Sequence, residues 1–567
     1  MKYAQVILPL NTQDRTRAMH RTADRVLLCL GIAVTTVLLG SCAARTRSQV
    51  QHDSHALGTV NFAVTCSPQA QAEFNRAVAL LHHMTYPQAR VAFQQVATTD
   101  PACAMAHWGV AMTLFQPLWP TRPGPEALHR GWEAVQQAKG LPMTERERLF
   151  VASAEAFFLE PASPDYWLRI RRWEQAAEKV FVSFPNDPDA AAFYALAHVA
   201  TAPSNVISRV HQDRAAEILL GVYERNPDHP GAMHYIVHAN DTPGRDHESP
   251  EIISRYASAA PRNPHALHMP THIYTRVGDW NGVIHGNKLA ADAALEHPAG
   301  DRGEFIWDEF GHAIEYLVYG YLQRGADDDA AVQLERLRTT ERLEPSFKTA
   351  FHIASTQARY ALERHAWSEA VLIVPREPTN LAWDRFPWPE AIMVYARGFG
   401  AARLGNTVEA RSATARLDIL ETATRTAGEE LFARNIRVLR LELNAWLAHV
   451  EGQTESSLAL MQEAADLETT TPKHAVTPGP TLPAHELLGD LFMEQKNPAR
   501  ALAAYRRSIE LYPRRFNSLL GAARAARALG DESLAGNFYK ELLEVADGGA
   551  RQPAVREAKS FVAPRRR

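Results

Sequence analysis

Pro227-Asp-His-Pro-Gly-Ala-Met-His-Tyr-Ile-Val-His238 is matched further along the chain by Pro261-Arg-Asn-Pro-His-Ala-Leu-His-Met-Pro-Thr-His272. In this register Pro227 matches Pro261, His234 matches His268 and His238 matches His272. Residues four apart share one face of a helix, so each histidine pair belongs to one helical stripe. A repeat of about 34 residues is a two-helix unit that cannot bury its apolar face alone and stacks into a solenoid. The pattern extends both ways, to Tyr194 with His198 and to Asp308 with His312. The histidines that close the four pairs recur at near-regular intervals of this kind. The four pairs are therefore expected to form a column on successive helices, with His265 and His285 off register.

Around this stretch, helical segments are punctuated by Phe184-Pro-Asn-Asp-Pro188, Asn226-Pro-Asp228 and Gly325-Ala-Asp-Asp328. No alternating Val, Ile and Thr run is bounded by hairpin turns, so the fold is expected to be all-α. Ala77, Leu80, Tyr86, Ala89, Phe93 and Pro101 near the start resemble the small, aromatic and terminating positions of tetratricopeptide repeats. Leu488, Gly489, Phe492, Ala501, Tyr505, Ser508 and Pro513 near the end do the same, and Ala535 and Tyr539 repeat Ala501 and Tyr505 at the spacing that separates Pro227 from Pro261. The resemblance implies an α-solenoid of tetratricopeptide-like helical hairpins. His234 and His268 then occupy the fifth position of a unit, and His238 and His272 the ninth. Those positions resemble the ligand-facing ones on the concave surface of such repeats.

Four phrases also resemble a group of exported bacterial tetratricopeptide repeat proteins. They are Leu80-Leu-His-His-Met-Thr-Tyr86, Cys103-Ala-Met-Ala-His-Trp-Gly109, Ala232-Met-His-Tyr-Ile-Val-His238 and His265-Ala-Leu-His-Met-Pro-Thr-His272. This resemblance implies architecture and export and carries no catalytic residue across.

The chain has 567 residues, is 46% hydrophobic and has a formal net charge of −4. That balance is ordinary for a globular protein and points to neither nucleic acid nor an acidic membrane surface. Arginines at 15, 17, 21 and 25 precede an apolar run over 26–39 that ends in Leu39-Gly-Ser-Cys42. This has the build of a signal peptide over 1–41, and its end resembles a lipobox that leaves Cys42 lipidated, with a transmembrane helix as the alternative. The expected location is the periplasmic face of the outer membrane, held by lipid alone. Cys66 and Cys103 then form an even pair in an oxidising compartment, and a disulfide between them is expected. It would stabilise by about 4 kcal/mol in the chain-entropy model.

Expected boundaries follow: a tether over 42–60, the main solenoid over 61–468, a Pro/Thr linker over 469–483, a C-terminal repeat pair over 484–547 and a disordered tail over 548–567. The Trp- and Pro-rich stretch 367–388 reads as packing between two helical layers or as a lid.

Two functions compete. In the first, Tyr194, His198, His234, His238, His268, His272, Asp308 and His312 line a concave groove that holds a protein or peptide partner. In the second, His234, His238, His268 and His272 bind a transition metal, zinc or copper, with Asp308 or His312 as further ligand or orienting group. No His-Glu-x-x-His, Gly-x-Ser-x-Gly, P-loop or dinucleotide fingerprint is present.

Overall fold

The computed structural model describes residues 56–163, 165–546 and 552–563. The signal peptide, the lipobox with Cys42 and most of the tether lie outside the described residues.

Helix starts share one device. Ser67-Pro68, Asp187-Pro188, His229-Pro230, Asn263-Pro264 and Asn497-Pro498 each place a capping side chain before a proline in the first turn. The cap accepts from a backbone N–H two or three positions on, and proline fills a position whose N–H would have no partner. The helices pair in sequence as antiparallel hairpins, such as Pro68–His82 with Tyr86–Thr99 and Pro498–Leu511 with Phe516–Ala528. Small residues admit the partner's rings. A Cβ at Gly489 or Gly521 would stand 2.6 or 2.4 Å from the Tyr505 ring. The chain is an all-α solenoid, as its periodicity predicts.

Cys66 and Cys103 are joined by a disulfide that ties the chain entry to the start of Ala104–Met112. Among the described residues no helix is long and apolar enough to cross a membrane.

Several expected boundaries need correction. Two short strands, Pro298–Ala299 and Phe305–Ile306, pair antiparallel with Pro298 opposite Ile306; strands this short are too brief to show a period of two. The segment 469–483 is no free linker. Val476, Thr477, Thr481 and Leu482 are buried, and the buried Arg359 guanidinium donates to the Gly479 and Pro480 carbonyls and to Thr477 Oγ1. The segment is an ordered strap of turns and bends whose carbonyls meet a guanidinium, so its buried backbone groups are paired.

The C-terminal repeats continue the same body. Arg515, fully buried, donates to Glu363, Glu486 and the Tyr319 hydroxyl. Within the expected tail, Pro553–Val562 is a helix docked by Tyr539–Phe561 ring contact and by the Tyr539 hydroxyl donating to Glu557. Stretch 367–388 is packing: Trp383 is buried and Trp388 lies between Phe351 and Phe432.

Candidate metal centre

Three helices supply the centre: Pro230–Asn240, the run from Pro264 to Val277, and Glu309–Gln323. Pro270 divides the second run, but Met269 keeps helical angles (φ −54°, ψ −42°), so His268 and His272 stay one above the other. Six imidazoles converge there in two triads, His234–His238–His265 and His268–His272–His312, and within each triad one ring nitrogen per residue lies within 4.8 Å of the others. The triads adjoin, with ring centroids 6.1 Å apart for both His265–His268 and His238–His272. All six are buried, His238 least so at 8% exposure.

Hydrogen bonding assigns the tautomers. His272 Nδ1 stands 2.9 Å from Asp241 Oδ2 and His268 Nδ1 stands 2.6 Å from Asn287 Oδ1. The Asn287 amide is oriented by its NH2 donating to Thr271 Oγ1 and the Val283 carbonyl. Both partner oxygens are acceptors, so each histidine donates its Nδ1–H and keeps a bare lone pair on Nε2. Yet His268 Nε2 and His272 Nε2 face each other at 2.9 Å. Two acceptors at that distance repel unless a cation lies between them.

The other triad repeats the arrangement. His234 donates Nδ1–H to the His82 carbonyl at 2.6 Å and His265 donates Nδ1–H to Glu309 at 2.8 Å, while their Nε2 atoms sit 3.1 Å apart. His238 Nε2 lies 3.1 Å from the same His234 nitrogen. A proton on one ring could bridge one pair, but burial, reinforced by the neighbouring imidazoles, holds His234 and His268 well below their ordinary pKa. Burial likewise lowers His272, against the opposing pull of Asp241. Neutral rings with Nδ1–H anchored on a carboxylate, carbonyl or amide oxygen are the orienting pattern of metal-bound histidine.

Around the rings, charges cancel. Asp241 faces Arg276 and Lys473, and Asp308 and Glu309 share Lys348. Burial opposes ionisation of Asp241 and of Glu309, but these cations hold both carboxyls well below the usual range.

Of the expected residues, His234, His238, His268, His272 and His312 come together, though in two threes and not one four. Tyr194 and His198 do not join them: the Tyr194 hydroxyl donates to Glu178 and His198 pairs with Glu174 on the preceding helix. The Asp308 carboxylate accepts from Ser346 and Lys348 and not from an imidazole, and the adjacent Glu309 does the orienting. Of the five convergent histidines, His238 borders a surface cavity, whereas His234, His268, His272 and His312 are fully buried.

The repeat register sets His265 aside, whereas it completes the first triad. Spacings of i, i+3 and i+7 put His265, His268 and His272 on one stripe, and this is the signal that finds it. His352 escapes the pairing pattern, although it follows His312 at the interval that separates His272 from His312. It donates Nδ1–H to Glu315, leaving a buried, unpartnered Nε2 beside His312, whose own two nitrogens have no protein partner.

No family model matches the chain, and no curated protein matches it. Solved structures similar to it include the human IFIT1 dimer with PPP-AAAA, at 12% identity over 78% of this chain and 91% of that one, with a TM-score of 0.38. The Cut9–Hcn1 hetero-tetramer of the APC/C has 12% identity over 88% of this chain and 90% of that one, with a TM-score of 0.33. A tetratricopeptide repeat protein from Parabacteroides merdae has 14% identity over 53% of this chain and 98% of that one, with a TM-score of 0.28.

Proposed function

We propose that this protein binds transition-metal ions in two adjoining three-histidine centres, His234–His238–His265 and His268–His272–His312. The observation that carries the proposal is the pair of bare Nε2 atoms of His268 and His272 at 2.9 Å, with both Nδ1 protons already committed. Neutral imidazole suits zinc, copper, nickel and iron, and three nitrogens without a fourth protein ligand are the ligand set of catalytic sites, which keep a position for substrate or water. Glu309, Asp241 and Asn287 would orient the rings.

Metal analysis of untagged protein after loading with zinc or copper and removal of free ion tests this. Two ions per chain and a rise in melting temperature are expected; absence of bound metal together with unchanged melting would sink the proposal. Melting is read separately with free ion held at about a thousand times its Kd, where binding stabilises by about 4 kcal/mol, so the melting shift is large.

A partner-binding scaffold is the second reading, favoured by the stacked hairpins, an architecture that presents extended surfaces. It gains if the protein stays metal-free under these conditions. In either reading we propose an exported chain anchored through Cys42, which the disulfide supports because such bonds persist in oxidising compartments.

A further inference from the structure

A cavity of about 160 Å³ reaches the first triad from the surface and is lined by His238 itself. Trp119, Trp167 and Phe432 supply aromatic walls, and the Trp119 ring lies 5.1 Å from that of His265. Arg122 and Lys473 also reach the cavity, each already held by a carboxylate: Arg122 by Glu429, Lys473 by Asp241. Asp241 is also shared with Arg276, so the mouth carries no surplus negative charge to balance a bound ion. The triad's imidazole nitrogens bring no negative charge and the surrounding carboxylates are already matched by Arg276, Lys348 and Lys473, so the charge of a bound ion would stay uncompensated inside a low-dielectric body. An exogenous anion is the remaining way to offset it.

Resting on the metal reading, we propose that the cavity admits a single-ring aromatic molecule whose oxygen binds as an anion to the ion held by His234, His238 and His265. The size agrees: an apolar cavity of about 150 Å³ accommodates benzene. The aromatic walls select a planar ring, and His238, the least enclosed of the six histidines, marks where its oxygen arrives.

Equilibrium binding of benzoate, phenol and acetate to copper-loaded and metal-free protein tests the proposal, with copper content measured on the same samples. Benzoate or phenol is expected to bind the loaded protein at least tenfold more tightly than acetate, and which of the two binds identifies the oxygen group. Metal-free protein is expected to bind neither. Trp167→Leu or Phe432→Leu, with copper content intact, is expected to reduce the aromatic ligands to the affinity of acetate. Equal affinity for acetate and both aromatics, equal binding without copper, or unchanged affinity in both variants overturns the proposal while leaving the metal reading standing. Failure to take up copper removes the metal reading itself.

Discussion

Two buried clusters in this molecule have the same outward description and different hydrogen bonding. In each, three ligating side chains lie within 4.8 Å of one another: His82, Asp189 and His229 in one, His268, His272 and His312 in the other. In the first, every ring nitrogen has a matched partner. The Ala232 N–H donates to His229 Nδ1, so the His229 proton sits on Nε2, 3.4 Å from Asp189. His82 donates Nε2–H to the same carboxylate at 2.9 Å and accepts from the Tyr235 hydroxyl at 3.1 Å. The backbone approaches so closely that a Cβ at Gly231 would stand 2.5 Å from His82 Nδ1. Protons suffice to hold this cluster. In the second cluster the Nδ1 protons of His268 and His272 are committed outward and their Nε2 lone pairs face each other, an arrangement that the proposed metal ion would relieve. Proximity of ligating groups is thus a weaker sign of a metal site than the accounting of donors and acceptors.

Exchanging substitutions between the clusters attacks that contrast most directly. His268→Ala or His272→Ala is expected to lose one of two ions per chain, and His229→Ala to retain both while destabilising the fold by about 1–3 kcal/mol, because the buried Asp189 loses one of its two histidine donors and the Ala232 N–H its cap. Metal content and urea unfolding read the two effects. Loss of metal in His229→Ala would erase the distinction.

Acid should strike the proton-satisfied network. His83 donates Nε2–H to the Leu57 carbonyl and accepts from the Tyr256 hydroxyl, and burial pulls its pKa down to about 3. Since the unfolded chain takes up this proton near pH 6.5, stability is complete above 6.5 and is lost as pH falls from there toward 3. The slope is about 1.4 kcal/mol per pH unit for each such histidine; His474, also lowered by burial to about 3, adds a second. Urea midpoints at pH 7.5, 6 and 4.5 on metal-free protein should descend accordingly, and a flat profile would contradict the buried neutral state.

A smaller test concerns orientation. Asp241→Asn keeps the size but weakens the acceptor for His272 Nδ1–H, and is expected to lower affinity of the second centre roughly 10–100-fold. The first centre should be unaffected, which competition with a chelator at graded concentrations would show. Smallest of all, Tyr235→Phe removes the donor to His82; a cost of about 1–3 kcal/mol with unchanged metal content is the expected signature of a hydrogen-bonded cluster.

The fold is largely legible because its signals are local. A cap-and-proline pair opens a helix within a single turn of chain, and the Ala501–Tyr505 pattern repeats at Ala535–Tyr539. The strap at 469–483 escapes a sequence reading for the opposite reason: Thr and Pro composition describes a solvated linker until a distant guanidinium, Arg359, receives its carbonyls. His265 falls outside a register that counts two positions per helix and ignores the i+3 neighbour.

By itself, the sequence determined the repeat unit, the all-α class and the helices from which five of the six converging imidazoles come, since each follows from spacing along a helix. Tertiary structure alone decided how those rings divide. Which imidazoles share a triad, which oxygen takes each Nδ1 proton, and that Asp189 draws His82 and His229 into a cluster needing no ion, all depend on contacts between helices distant in sequence. Such contacts arise only when neighbouring helices settle face to face, and they carry the difference between a hydrogen-bonded histidine and one proposed as a ligand.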